Sequence, residues 1–190
     1  MKSRENSGGE ILRGKIVMAK LSEARAEEIK ESMKAAGINF VVYVPDSWNH
    51  LLQKKIIEDK AFFSVGMVRE DEAMATAMGA FLGGKNPAIV MEASGLGLSG
   101  LALGWLAGMQ RMALLIVSSH TAALGEYTDY HAVTRTVTFP MLAALNIQSV
   151  ILDDIKQARR VFKQAQMTVK GQCVPVSISL PRHILWDEEA

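Results

Sequence analysis

Three groups of residues in this chain have types and spacings that suit chemistry. An acidic run at residues 70–72 opens a predicted helix, and a carboxyl held in a partly apolar pocket can act as a general acid or base. A G-x-G-x-x-G pattern begins at Gly95, which is the spacing of a dinucleotide-binding turn. His120 and His131 lie in a long polar segment, where imidazole can exchange protons near neutral pH. Each group also has a purely structural explanation. For the acidic run, this is that acids at a helix start compensate the helix dipole.

The glycine pattern lacks the context of a nucleotide-binding turn. Two strands are predicted before it, and the next strand ends in Ser118, Ser119 and His120 rather than in an acidic residue. Nicotinamide binding is therefore a minor alternative, which a titration with NAD would test. Gly100, Gly104 and Gly108 recur every four positions, and such a row predicts close packing against another backbone. We expect this row to be a contact surface for a partner.

The elements that must position these groups alternate along the chain. Runs rich in β-branched residues predict strands at 38–44, 61–65, 87–91, 112–119, 147–152 and 174–180. Helices are predicted at 21–36, 48–58, 69–82, 99–109 and 153–167, with a helical or mixed segment up to 145. Ser22 and Asp153 are the expected N-caps, and Gly37 ends the first helix. This alternation predicts a three-layer α/β fold with a six-stranded parallel sheet and helices on both faces.

Ligands of parallel α/β sheets bind at the carboxyl ends of the strands. The loops that follow Val44, Val65, Met91 and Ser118 are therefore the ones expected to hold the site. All four contain polar residues or glycine, and they include every group described above.

Composition excludes several classes of protein. The chain has 190 residues, of which 49% are hydrophobic and 22% charged, so it is not a disordered polymer. Its formal net charge of +1 argues against nucleic-acid binding. Cys173 is the single cysteine, which excludes an internal disulfide and favours a reducing, cytoplasmic setting. The uncharged stretch 93–110 has turn-like glycines, so we expect a loop and a buried helix there rather than a membrane span. Residues 1–19 are expected to be a flexible lead-in, and 20–190 one domain.

Over residues 20–186 the chain resembles the pyrimidine-binding domain of thiamine-diphosphate-dependent enzymes, most nearly the alpha subunits of sulfopyruvate decarboxylase and the phosphonopyruvate decarboxylases. Three motifs support the resemblance: VPDS at 44–47, REDEA at 69–73, and PAIVMEASGLG at 87–97. Their order and spacing together are specific to the family. The resemblance implies the same α/β fold and a 2-oxoacid decarboxylase activity.

The resemblance also assigns roles to particular residues. Glu70 would bond a ring nitrogen of the pyrimidine and favour its imino tautomer, whose imino group removes the proton from the reactive carbon. The turn formed by Ser94, Gly95, Leu96 and Gly97 would lie beside the pyrimidine. His131 matches a family histidine that can donate a proton or contact an anion.

The expected substrate contacts are on two loops. They are Pro45, Asp46 and Ser47 after the first strand, and His120 and Arg135 around the fourth, with His131 nearby. Relatives have an arginine after the fourth strand that can bind a sulfonate or phosphonate, and this chain has none there. A clamp made of histidine would lose affinity as pH rises between 6 and 8, whereas an arginine clamp would not.

Two further positions depart from the family pattern. Glu92 replaces a glutamine, and Leu98 replaces the asparagine of SGLGN. These departures bear on the choice of substrate rather than on the reaction class. Sulfopyruvate, phosphonopyruvate and similar small anionic 2-oxoacids are the first candidates.

The other half of such a site is missing from this sequence. The family binds diphosphate through Mg²⁺ with a GDG motif, and the dipeptide Gly-Asp does not occur in this chain. The resemblance therefore implies a hetero-oligomer in which a separate beta subunit binds Mg²⁺ and the diphosphate. A thiamine-dependent carboligase subunit and a non-catalytic module that kept the fold are the alternatives.

Overall fold

The computed structural model describes residues 20–187 with the exceptions of Gly125 and Tyr127, and no side chain is described at 106–108 or 133. The predicted lead-in at 1–19 lies outside the described residues. The described part contains one sheet of six parallel strands, with helices packed on both faces. The predicted fold class is thereby confirmed.

The strands form the order β2-β1-β3-β4-β6-β5, and every neighbouring pair is parallel. Their bounds are β1 Phe40–Tyr43, β2 Phe63–Gly66, β3 Pro87–Glu92, β4 Leu114–His120, β5 Gln148–Ile151 and β6 Pro175–Pro181. The central strands β3 and β4 are buried almost throughout, which explains their continuous apolar sequences.

Most helices are slightly shorter or more divided than the sequence pattern predicts, and the helix predicted at 153–167 begins and ends five residues later. They are α1 Glu23–Ala35, α2 His50–Glu58, α3 Glu70–Leu82, α4 Ser94–Leu98, α5 Gly100–Ala102, α6 Ala132–Ala144, α7 Ala158–Gln172 and α8 Arg182–Leu185. A π-helix at Leu103–Met109 follows α5, and short 3₁₀ turns at Asp129–His131 and Ile155–Gln157 precede α6 and α7.

Side chains of successive strand residues enter two separate cores. Val41 and Val90 join α1, α2 and α7 on one face, whereas Val42 and Ile89 join α3 and α6 on the other. All four are fully buried, and each contributes roughly 1.5–3 kcal/mol of transfer free energy. The alternation holds the sheet between two helical layers and leaves its carboxyl edge open to loops.

Two local predictions are wrong. The turn expected at Ser94–Gly97 is helical, because Ser99 closes it: its hydroxyl donates to the carbonyl oxygen of Gly95 at 2.8 Å. The N-cap expected at Asp153 is Asp154, whose carboxylate accepts from the backbone N–H of Lys156 at 2.9 Å. The predicted cap at Ser22 is confirmed, since its hydroxyl oxygen accepts from the backbone N–H of Arg25.

The glycine row is not an outer surface, as the sequence suggested, but a contact within the chain. A Cβ on Gly97 would lie 2.8 Å from Val137, one on Gly100 would lie 2.7 Å from the sulfur of Met141, and one on Gly104 would lie 3.6 Å from Leu145. Val137 and Met141 lie in α6 and Leu145 caps its end, each four residues after the one before, so the row of glycines and the row of side chains interlock. The surroundings of Gly108 lie outside the described residues.

The same helical segment exposes large apolar side chains on another side. Leu98, Leu101, Trp105 and Met109 are between 51% and 77% exposed, at helical spacing. We call these four residues the apolar stripe. No helix in the described part of the chain is long and apolar enough to cross a membrane.

The glycine contact with α6 predicts opposite effects for two substitutions. Gly97→Ala should destabilise the protein by about 1–3 kcal/mol, because the β-branched side chain of Val137 has little rotamer freedom to avoid a Cβ 2.8 Å away. Gly104→Ala meets ordinary contact distance, so helix propensity should make it neutral or up to about 1 kcal/mol stabilising. Urea unfolding of both variants checks this, and equal destabilisation by both would contradict the packing described.

Candidate active site

The strand order brings the four predicted site loops to one edge of the sheet. The strands β2, β1, β3 and β4 are consecutive neighbours and all point the same way, so the loops after them are neighbours too. These loops and the helical turns that follow them contain Glu70, the segment Pro45–Asn49, the segment Ser94–Gly97, and His131. The elements that carry the site proposed from sequence are therefore neighbours in the fold.

Glu70 packs directly on Gly95. A Cβ at Gly95 would lie 2.2 Å from Cγ of Glu70 and 2.9 Å from its Oε1, so any side chain at 95 would displace the side chain of Glu70. Glu70 is the first residue of α3 and is half-buried, so its carboxylate lies near the positive end of the helix dipole. Glycine at 95 is required for this carboxylate to reach the turn after β3.

The other acids of the run are engaged elsewhere or exposed. The carboxylate of Asp71 accepts two hydrogen bonds from the guanidinium of Arg69, at 3.0 and 2.8 Å, which lower the pKa of Asp71. Glu72 is exposed to solvent. Neither Glu70 nor Glu72 makes a side-chain hydrogen bond within the described part of the chain, but only Glu70 is half-buried, which makes it the candidate carboxylate of the three.

The turn after β3 is anchored to α6. The hydroxyl of Thr138 donates to the carbonyl oxygen of Ala93 at 2.7 Å, in a fully buried position. Of the predicted cofactor-binding residues, Leu96 is buried in the core and Ser94 is exposed. If Leu96 contributes to binding, only its backbone is placed to do so.

The loop after β1 is held by buried amides that the sequence analysis missed. Asp46 accepts from the backbone N–H of Trp48 at 3.0 Å and from Nδ2 of Asn49 at 2.7 Å. The same Asn49 nitrogen lies 3.2 Å from the carbonyl oxygen of Met91, and Nε2 of Gln53 donates to that of Val44 at 2.8 Å. The carboxylate of Asp46 is thus used to shape the loop. Amides in the first turn of a predicted helix were the only signal available in the sequence.

Pro45 and Ser47 are exposed on that loop. Ser47 lines an open hollow of about 550 Å³ together with His50, Leu51 and Trp186. None of the other predicted site residues lines this hollow. Glu70 does not line this hollow.

His131 lies against the loop after β1. Its ring contacts that of Trp48 edge-on with centroids 5.8 Å apart, and Nδ1 lies 3.0 Å from Oε2 of Glu126. Burial of Glu126 raises its pKa, but hydrogen bonds from Thr128 and His131 outweigh burial and hold the pKa below its usual value. Glu126 was not among the predicted site residues.

Glu92, which replaces the family glutamine, belongs to a short polar chain. Its Oε1 accepts from the hydroxyl of Thr121 at 3.3 Å, and that hydroxyl lies 3.3 Å from the hydroxyl of Thr134. Arg135 is exposed and lines a hollow of about 220 Å³ with Glu126 and Asp129. Two carboxylates against one guanidinium make this hollow a poor place for a doubly anionic head.

His120 is buried beneath α6, with its ring 4.7 Å from that of Phe139. Burial disfavours the imidazolium and lowers the pKa of His120. The geometry therefore gives no support to the cationic substrate contact predicted for His120.

Comparison with known sequences decides the family. The chain is 32% identical over 122 residues to the sulfopyruvate decarboxylase subunit alpha of Methanothermobacter thermautotrophicus, covering 64% of this chain and 74% of that protein. This chain belongs to the family of sulfopyruvate decarboxylase alpha subunits. It is also 26% identical over 164 residues to the corresponding subunit of Methanococcus maripaludis, covering 86% of this chain and 98% of that protein. The resemblance seen in the sequence is confirmed.

Two further matches are larger proteins. The phosphonopyruvate decarboxylase of Streptomyces viridochromogenes is 25% identical over 165 residues, and the match covers 42% of that protein. A solved 2-oxoglutarate:ferredoxin oxidoreductase from Magnetococcus marinus has a TM-score of 0.65 at 15% identity, over 89% of this chain and 30% of the other. The chain thus spans less than half of either protein, and the second likeness supports the fold alone. No protein-family model matches the chain.

The buried position of His120 predicts a pH dependence of stability. Its pKa in the folded protein lies below the unfolded value of about 6.5, so the stability it contributes is complete above pH 6.5 and is lost as pH falls below it. The His120→Gln variant should lose less stability than the wild type between pH 6.5 and 5, measured by thermal unfolding. His50→Gln, at an exposed histidine, is the control and should leave the slope unchanged. An NMR titration midpoint for His120 above 6.5 would contradict the assignment.

Proposed function

We propose that this chain is the pyrimidine-binding subunit of a cytoplasmic, thiamine-diphosphate-dependent 2-oxoacid decarboxylase. The proposed substrates are sulfopyruvate, phosphonopyruvate or a similar small anionic 2-oxoacid. The observation behind the proposal is the contact between Glu70 and Gly95, which lies at the strand ends of a member of this family. Of the three acids at the start of α3, Asp71 is bonded to Arg69 and Glu72 is exposed, whereas Glu70 is half-buried and has no side-chain hydrogen bond within the described residues.

The residues present fit the pyrimidine half of thiamine diphosphate. When bound, this cofactor supplies the nucleophilic carbon and electron sink that a 2-oxoacid needs to lose CO₂. Glu70 would hold the pyrimidine by a carboxylate–nitrogen hydrogen bond, and the Ser94–Gly97 segment would line it. The glycine at 95 leaves the space into which a side chain would otherwise project.

Glu70 would also exchange a proton with the pyrimidine. A half-buried carboxylate at a helix start can share a proton with a ring nitrogen and return it, which is general acid–base catalysis. Opposite Glu70, the buried hydrogen bond from Thr138 to Ala93 holds the start of α4 in place. The distance between Glu70 and the Ser94–Gly97 segment is therefore set by packing rather than by the ligand.

The Mg²⁺ and diphosphate are assigned to a separate beta subunit. The described residues contain no cluster of three or more His, Cys, Asp or Glu side chains that could hold a metal ion. Three of the relatives that match this chain are named as alpha subunits, which implies a partner. The apolar stripe is the surface proposed for that partner, because it is exposed and starts one residue after the Ser94–Gly97 segment. The glycine row, which the sequence pattern predicted as the partner surface, is covered by α6.

Reconstitution tests the proposal. The chain alone should bind thiamine diphosphate weakly in calorimetry even with Mg²⁺, because the charged half of the cofactor would meet no ligand. Mixing with a beta subunit that contains a GDG motif should give a larger complex that binds both and decarboxylates a 2-oxoacid. Leu101→Glu in the apolar stripe should weaken complex formation at least tenfold, whereas Met167→Glu, on the opposite layer and 64% exposed, should not. Tight Mg²⁺-dependent binding by the chain alone would contradict the shared site.

Substitutions at the start of α3 test the assigned acid. In the reconstituted complex Glu70→Gln should lower kcat about a hundredfold or more, because a positioned acid–base group is removed. Gly95→Ala should have a similar effect, since its Cβ would displace the Glu70 side chain. Glu72→Gln is the matched control and should keep wild-type kcat. An active Glu70→Gln enzyme, or an inactive Glu72→Gln one, would show the assignment to be wrong.

A further inference from the structure

We propose that Arg182, directly after β6, is the cation that binds the sulfonate or phosphonate end of the substrate. The inference rests on the proposed decarboxylase function, and it assigns the anionic end of the substrate to a residue outside the four loops considered so far. In this proposal Arg182 selects the substrate and takes no part in breaking the bond to CO₂.

The sheet brings Arg182 to the edge at which the candidate site lies. The strand β6 is the neighbour of β4, and the register pairs Pro181, the last residue of β6, with His120, the last residue of β4. Both strands run in the same direction, so Arg182 leaves the sheet at its carboxyl edge, beside the segment that follows β4. Parallel α/β sheets bind their ligands at this edge.

The guanidinium of Arg182 reaches the loop after β1. Its central carbon lies 5.7 Å from the centre of the Trp48 ring and 4.4 Å from that of Trp186. Trp48 belongs to the loop after β1, since its backbone N–H donates to Asp46, and its ring also meets that of His131 at 5.8 Å. Around Trp48, therefore, the end of β6 meets two of the loops at the proposed site.

The aromatic contacts hold Arg182 in place and leave it able to bind an anion. A guanidinium that lies over an indole uses its flat face for that contact, whereas its five N–H donors lie in its plane. Two of these donors can bond a sulfonate or phosphonate in parallel while others bond the protein. The backbone that follows is also fixed, because the carbonyl oxygens of His183 and Trp186 accept from the guanidinium of Arg25 and tie α8 to α1.

The cations predicted from the sequence are less suited to an anionic substrate. Arg135 shares its hollow with Glu126 and Asp129. A protonated His131 would be neutralised by Glu126 from 3.0 Å away, and burial favours the neutral form of His120. An arginine, in contrast, keeps its charge at any pH at which an enzyme works. The half-buried position of Arg182 strengthens its attraction for an anion, because water screens the charge less there.

Anion binding by the full-length chain tests the site without requiring activity. Methanesulfonate and methylphosphonate should each change the tryptophan fluorescence saturably, because two indoles contact the guanidinium. Arg182→Gln should weaken this binding about tenfold or more, since charged hydrogen bonds are lost. Arg182→Lys keeps the charge and the aromatic contact but not the paired donors, so it should bind more weakly than the wild type and more tightly than Arg182→Gln. Arg159→Gln, the same change of charge at an exposed residue of α7, is the control and should bind like the wild type.

Thermal unfolding of each variant separates loss of binding from loss of folding. If Arg182→Gln does not fold, Arg182→Lys decides the question, because binding as tight as in the wild type would contradict paired hydrogen bonds. A wild-type chain with no saturable response to either anion, or a folded Arg182→Gln chain that binds both anions normally, would overturn the proposal.

Kinetics of the reconstituted complex test which anion Arg182 binds. Arg182→Gln should raise the KM for sulfopyruvate or phosphonopyruvate about tenfold or more and change kcat less than about threefold. The affinity for pyruvate, which has no anionic tail, should stay the same whether it acts as substrate or competitor. An equal loss for pyruvate would assign Arg182 to the shared carboxylate, and a loss of affinity for thiamine diphosphate alone would assign it to the diphosphate. Either result would overturn the proposal. A wild-type complex inactive on every 2-oxoacid would overturn the decarboxylase function, whereas the anion titrations would still decide whether Arg182 binds a sulfonate or phosphonate.

Discussion

The close approach of the Glu70 side chain to the backbone of Gly95 is the contact on which the candidate site depends. It requires that β1 lie between β2 and β3, so that the start of α3 and the start of α4 meet at the carboxyl edge of the sheet. It also requires the absence of a Cβ at 95, since one would lie 2.2 Å from Cγ of Glu70. The interlocked rows of α4, α5 and α6 then hold this turn in place from below, together with the buried hydrogen bond from Thr138 to Ala93.

One short helical segment therefore has two different surfaces. Its glycines face inward and let α6 pack at close range, and its apolar stripe faces outward. A stable single chain seldom exposes leucine, tryptophan and methionine together at helical spacing, and a contiguous patch of this kind is typical of an interface. The small residues stabilise the subunit and the large ones suit its assembly, so substitutions on the two surfaces should separate folding from association.

Most acids around the site are already committed to the protein. Asp46 shapes the loop after β1, Glu92 accepts from Thr121, and Glu126 is bonded by Thr128 and faces His131. A carboxylate with its own donors inside the chain repels an anionic substrate less than a free one would, because part of its charge is balanced locally. In the described part of the chain Glu70 differs from these acids, since it has no such donor.

The sequence by itself determined the fold class and the strand and helix order, and it predicted Glu70 as the acid of the site. Continuous apolar runs and capping residues such as Ser22 are local signals, and the family motifs are linear, so both can be recognised without coordinates. Where the turn chemistry was ambiguous, as at Ser94–Gly97, the local signal predicted a turn and the packed chain formed a helix.

Only the tertiary structure decided which side of a residue is covered and by what. The glycine row could contact a partner or another helix of the same chain, and the packing of Val137, Met141 and Leu145 against it settles that question. The pairing of Glu126 with His131 depends on a loop conformation that no spacing rule specifies, and the burial of His120 depends on where α6 lies. These properties arise from contacts between segments that are distant in sequence or irregular in backbone, and a linear pattern contains no information about their distances.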